Sequence, residues 1–196
     1  MPQPWAETIS AHRAEVHKAI LNAVGELLRR RGLLGLSMSE IAAAADIGRA
    51  TLYKYFPDVA HVVAAWHERQ VAAHLAELTA LAKQPGGSAE RLRAVLAAYG
   101  RICRQRRQHG DAELRAALHP SGLDGDLPAQ LLRIFTGLIT DAAAAGTVRR
   151  DVPPAELAAY CISALDAARD VATQVALNRL MDVIWAGLAP PPTVSA

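Results

Sequence analysis

From His12 to Arg31 apolar residues return every three or four positions, at Val16, Ala19, Ile20, Ala23, Val24, Leu27 and Leu28. That spacing lines one face of an α-helix. Arg29, Arg30 and Arg31 fall in its last turn, where cations suit the helix dipole, and Gly32 follows as a C-cap. The residues ahead of His12 read as a flexible N-terminal arm. A shorter helix starts at Ser37, with Glu40 three residues on as in a capping box, and turns Ile41, Ala42 and Ala45 inward. Asp46-Ile47-Gly48 then make a tight turn. Asp46 tolerates a left-handed backbone and Gly48 serves as N-cap. A third helix runs from Arg49 to about Phe56, where Pro57 interrupts it.

The pattern stays helical beyond this point. Ala60–Lys83 carries Val63, Trp66, Leu75, Leu78 and Leu81, and Pro85-Gly86-Gly87 breaks it. Helices are expected over Ala89–Gln108 and Asp111–Leu118, followed by a loop from His119 to Gly125. Leu127, Leu131, Ile134 and Leu138 mark the next helix, which ends near Gly146. Pro153-Pro154 opens another, bearing Leu157, Tyr160, Cys161 and Leu165. A last one carries Leu177, Met181, Ile184 and Leu188 and stops at Pro190-Pro191-Pro192. Strand formers are scattered without alternation. The expectation is an all-α protein of about nine helices, with a three-helix domain over residues 1–58 and a larger helical domain over 59–196.

Composition narrows the function. The 196 residues are 52% hydrophobic and 20% charged, which describes a folded chain with a real core. The net charge of +2 argues for no partner by itself, because a DNA binder needs a local basic face and not a basic average. No signal peptide and no bilayer-length apolar run is read, so the expected location is the cytoplasm, with no membrane partner and with Cys103 and Cys161 as reduced thiols. His61, His67 and His74 fall at six- and seven-residue spacing along one helix; a metal site would want a carboxylate or thiol beside them, and they read as surface or packing residues. Pro85-Gly86-Gly87 lacks the lysine of a phosphate loop. Arg101, Arg104, Arg106 and Arg107 read as a solvated helix face. No converging acid, base or metal groups can be assembled, so neither an enzyme nor a cofactor is expected.

The chemistry gathers between Ser37 and Phe56. Two short helices joined by a three-residue turn form a helix-turn-helix, whose second helix fits the major groove. Arg49 can donate two hydrogen bonds to guanine, Thr51 offers a hydroxyl or a methyl, and Tyr53, Lys54 and Tyr55 reach phosphates, Tyr53 also a base edge. With Ser37 and Ala50 these make the expected DNA-facing set. Leu52 and Phe56 recur at four-residue spacing and face the core.

The stretch Ile47-Gly48-Arg49-Ala50-Thr51-Leu52-Tyr53-Lys54-Tyr55-Phe56-Pro57 resembles the signature of the TetR family of bacterial repressors. Ile20-Leu21 to Gly32-Leu33 and Ser39-Glu40-Ile41-Ala42 match as well. The likeness is strong over about Val16–Val63 and continues in architecture, including Gly146–Pro153 and Gly187-Leu188. It implies an all-helical homodimer that binds a double-stranded DNA operator, with Arg49, Thr51 and Tyr53 facing the groove and Lys54 and Tyr55 on phosphates. It also implies a regulatory domain that takes a small molecule and releases the operator. The chain departs from the pattern at Asp46, Gly48 and Ala50. It also has Val59 where a phosphate-gripping lysine is common, with His61 nearby as a partial substitute.

Two further sets follow from the resemblance. Trp66, Tyr99, Cys103 and Phe135 are expected around the effector, which the scarcity of carboxylates there makes an apolar molecule. Leu157, Tyr160, Cys161, Leu165, Leu177, Met181, Ile184, Trp185 and Leu188 are expected at the dimer interface. The competing reading is a helical protein-interaction or structural module with a degenerate helix-turn-helix. A salt-dependent shift of one specific DNA fragment separates the two.

Overall fold

A computed structural model describes residues 4–107 and 127–191, and among them every regular element is helical. The eight α-helices are α1 (Pro4–Arg31), α2 (Met38–Ala44), α3 (Arg49–Tyr55), α4 (Val59–Ala82), α5 (Ser88–Arg107), α6 (Leu127–Ala144), α7 (Pro154–Asp166) and α8 (Gln174–Leu188). Two short 3₁₀ turns, Leu33–Gly35 and Ala167–Asp170, complete the list. The short helix expected over Asp111–Leu118 lies outside the described residues. No helix of the described residues is long and apolar enough to cross a membrane.

The chain groups into two compact units, divided inside α4 between Gln70 and Val71. The sequence reading put the division where α4 begins. The physical reason for the later division is that the first turns of α4 serve the first core. Val62, Val63 and Trp66 are buried there with Ile20, Val24 and Leu28 of α1, Ile41 of α2 and Leu52 of α3. Farther along the same helix, Leu78 belongs to the second core.

In the second unit α6 packs on α5 and α7, and α8 packs on α5 and α7. Each helix sends a three-and-four-spaced stripe inward: Leu92, Leu96 and Cys103 from α5; Phe135, Leu138 and Ala142 from α6; Leu157, Cys161 and Leu165 from α7; and Leu177, Ile184 and Leu188 from α8. The end of α6 is closed by Gly146 at φ 74°, with the amides of Gly146 and Thr147 returning to the carbonyls of Ala143 and Ala142 at 2.9 and 3.0 Å. The left-handed backbone there is cheap only for glycine. The following loop fastens two helix ends. The Arg149 amide donates to the Leu188 carbonyl at 2.9 Å, and its guanidinium grips both carboxylate oxygens of Asp151 at 2.8 and 2.6 Å. Arg150 donates to the last carbonyls of α6, Ala143 and Ala144.

Neither Cys103 nor Cys161 is in a disulfide and both are buried, and burial pushes the Cys161 thiol up to about 12. A thiol must ionise to react. At pH 8 the folded protein is therefore expected to resist a thiol reagent that labels both cysteines at once in denaturant. Mass spectrometry of the two reactions checks this, and rapid double labelling of the native chain would show that the second core opens readily.

Candidate nucleic-acid interface

The helix-turn-helix is assembled from local hydrogen bonds upward. The Ser37 hydroxyl accepts from the Glu40 amide at 3.2 Å and donates to the Glu40 carboxylate at 2.8 Å. The other oxygen of that carboxylate takes Arg31 Nη1 at 2.7 Å, which ties the end of α1 to the start of α2. At the far end of α2 the backbone reverses through Asp46 at φ 52°. The amides of Asp46 and Ile47 return to the carbonyls of Ala43 and Ala42 at 3.3 and 3.0 Å, a Schellman closure with aspartate in glycine's usual place. Ile47 packs on the first core and so fixes the direction in which the chain leaves.

Gly48 then caps α3 in extended conformation, without a side-chain bond. Leu52 is fully buried and Phe56 nearly so, and these two seat the helix. Arg49, Ala50, Tyr53 and Lys54 are exposed, with Tyr53 at 47%. Among the described residues no hydrogen bond or ion pair ties Arg49, Tyr53 or Lys54. Their donors are available to a partner. Thr51 and Tyr55 are half-buried on the flank, and Tyr55 packs partly on the first core. The expected DNA-facing set thus falls into an open group of four, two flanking residues, and Ser37, exposed but engaged with Glu40.

Val59 is half-buried and leans on the same core, so it adds packing and no charge. Asp58 caps α4: its carboxylate accepts from the His61 amide at 3.0 Å and contacts His61 Nδ1 at 2.8 Å. The hydrogen bonds from His61 hold the Asp58 carboxyl below its ordinary range. His61 is exposed as expected, but its ring rests on a carboxylate, which offsets the positive charge it would offer to phosphate.

The other two expected sets come apart. Tyr99, Cys103 and Phe135 sit together in the second core, with Tyr99 edge-on to Phe135 at 5.7 Å. Trp66 is not with them. It packs in the first core, where its indole lies so close to Gly25 that a Cβ there would stand 2.7 Å from Nε1. The signal that could have placed it is Gly25 itself, a glycine inside an otherwise strong helix pattern. Of the expected interface residues, Leu157, Cys161, Leu165, Leu177, Ile184 and Leu188 are buried within this chain's own second core and have no surface left for a partner. Met181 and Trp185 are half-buried and only Tyr160 is exposed. On the opposite side of α8, which the sequence reading did not single out, Val175 and Val183 stand 64% and 65% exposed.

Residues 20–65 match the family model described as bacterial regulatory proteins, tetR family. Residues 106–190 match the model of the C-terminal domain of SbtR-like transcriptional regulators, and the two models together take in more than half of the chain. Among solved structures, a TetR transcriptional regulator of Streptomyces coelicolor is 28% identical, with a TM-score of 0.64 over 89% of this chain and 98% of its own. A TetR regulatory protein of Mycobacterium vanbaalenii is 27% identical, with a TM-score of 0.63 over 92% and 99%. AibR, solved with isovaleryl coenzyme A and operator DNA, shares the fold at 19% identity, with a TM-score of 0.63 over 90% and 99%. A comparison with curated proteins finds no match.

Proposed function

The chain belongs to the TetR family of bacterial regulatory proteins, DNA-binding regulators of transcription, and from that premise we propose that it is a repressor, without enzymatic activity, that a small molecule releases from a palindromic operator. The observation that carries the reading is the outward face of α3. Arg49, Tyr53 and Lys54 stand exposed and untied on a helix that buried Leu52 holds in place. A helix with only a packing role has no need of that set. A major groove accepts such a helix, with arginine reading guanine and lysine gripping phosphate.

A two-fold dimer presents α3 twice, which makes the operator a palindrome with half-sites about one helical turn apart. The outer side of the last two helices supports the dimer. Tyr160 on α7 and Val175 and Val183 on α8 are large exposed apolar residues. Apolar surface of this kind is what a self-complementary interface buries. The effector is assigned to the second unit, around Tyr99, Cys103 and Phe135, and the part of it held there is apolar. AibR, a structural relative, binds an acyl-coenzyme A, so short acyl thioesters are the first compounds to try.

Selection of bound fragments from random DNA tests the reading. The expected product is one palindromic sequence, bound more weakly as salt rises. A set of acyl-coenzyme A esters should contain one that releases it, because an effector must favour the state that does not bind DNA. Recovery of no preferred sequence at any salt would return the chain to the class of helical interaction modules.

A further inference from the structure

The first unit holds a cleft of about 650 Å³, walled by α1, the end of α2 and α4. We propose that this cleft is a small-molecule site inside the DNA-reading unit, separate from the effector region assigned above, and that it takes a flat monocarboxylate.

The chemistry of the walls selects that class. Arg69 lines the cleft, and its Nη1 donates to the amide oxygen of Asn22 at 3.0 Å. A neutral amide satisfies one N–H and leaves the charge uncompensated. The other guanidinium there, Arg29, is already paired with Glu26. Trp66 adds the edge of an indole. Its Nε1 lies beside Gly25, which also lines the cleft, and meets no acceptor among the described residues. An unpaired guanidinium fork and an indole N–H both ask for oxygen acceptors, and a carboxylate supplies two on one carbon.

The remaining lining sets the rest of the molecule. Ala44 and Ala45 at the end of α2 leave room where larger side chains would fill the space. Together with the indole they suit a flat apolar body. Asp46 stands on the rim as an exposed carboxylate. It repels a second negative charge, which favours a monoanion over a phosphate or a dicarboxylate. Asp46 is also the residue on which the helix-turn-helix reverses, at φ 52°. An occupant therefore touches the element that aims α3, and its binding is linked to that of DNA in both directions.

The test uses the full-length protein labelled with nitrogen-15 in its tryptophans, with 2-naphthoate as probe and 2-naphthamide as its uncharged counterpart. Trp66→Phe identifies the Trp66 indole resonance. That resonance should move saturably with naphthoate, while those of Trp5 and Trp185 stay in place. Binding should weaken by at least about tenfold in Arg69→Gln and by a similar factor for the amide on the native protein. The comparison of acid and amide needs no variant, so it holds even where a substitution perturbs folding. The absence of a saturable shift at millimolar probe, or equal binding of acid and amide, would overturn the proposal. No DNA enters the measurement, so the result stands apart from the operator experiment.

Discussion

Aspartate at Val183 is expected to separate the protein into folded monomers, and aspartate one residue later, at Ile184, to unfold it. The two side chains differ in direction on α8. Ile184 is fully buried among the helices of the second unit, whereas Val183 is 65% exposed. A carboxylate forced into the first position has no buried partner. Such a charge costs several kcal/mol, a large share of the roughly 5–15 kcal/mol that holds a domain together. At Val183 the same carboxylate is solvated in the monomer and penalised only on association. Two-fold symmetry brings the change in twice, and the dimer constant should rise at least about a hundredfold, or about 2.7 kcal/mol. Sedimentation at micromolar concentration and thermal melting by circular dichroism read the two effects separately. A Val183→Asp protein that stays dimeric would show that subunits meet elsewhere.

That contrast also marks where sequence reading stops. The apolar stripes of α7 and α8 were legible as stripes, because Leu157, Cys161 and Leu165, and likewise Leu177, Ile184 and Leu188, repeat at helical spacing. A stripe says that a helix has a covered face. It does not say whether the cover is the same chain or a second copy, and in alanine-rich helices the opposite face is also mildly apolar. Trp66 posed the same difficulty. Its helix serves two cores in succession, and nothing in the spacing of Val63, Trp66 and Leu78 tells where one ends. Features closed by bonds over a few residues were legible. Ser37 capped α2 on the Glu40 amide, with the Glu40 carboxylate on the Ser37 hydroxyl where a full box would have it on the Ser37 amide, and Asp46 took the left-handed position. Asp46 and Gly146 end their helices with the same pair of returning amides, which shows how local the determinant is. The link from Arg31 to Glu40 spans nine residues and has no such local signature. On α3 itself the four-residue interval from Leu52 to Phe56 was enough to orient the helix, and with it the exposed Arg49 and Tyr53.

Substitutions on that helix are expected to divide into those that change which DNA is chosen and those that change how tightly any DNA is held. Arg49 and Tyr53 are four apart, share one exposed face and carry donors that nothing among the described residues occupies. Lys54 is exposed one step round the helix, towards the groove wall. An arginine on a guanine edge is worth about 1–3 kcal/mol of discrimination against the wrong base. Arg49→Ala should therefore flatten the preference at one position in each half-site and leave non-specific binding nearly unchanged. Lys54→Ala should weaken operator and scrambled DNA alike and lower the salt slope by about one per subunit. Val59→Lys should act in the opposite sense, tightening both at low salt. The aliphatic stem of the lysine can take the half-buried place of the valine while its ammonium reaches outward. Titrating the native protein and the three variants against operator and scrambled duplexes over a salt series separates these effects. If Arg49→Ala lowers both affinities by one factor and leaves every base preference intact, Arg49 is a phosphate clamp. Tyr53 and the half-buried Thr51 would then have to read the sequence, and Tyr53→Phe would become the variant in which loss of preference appears.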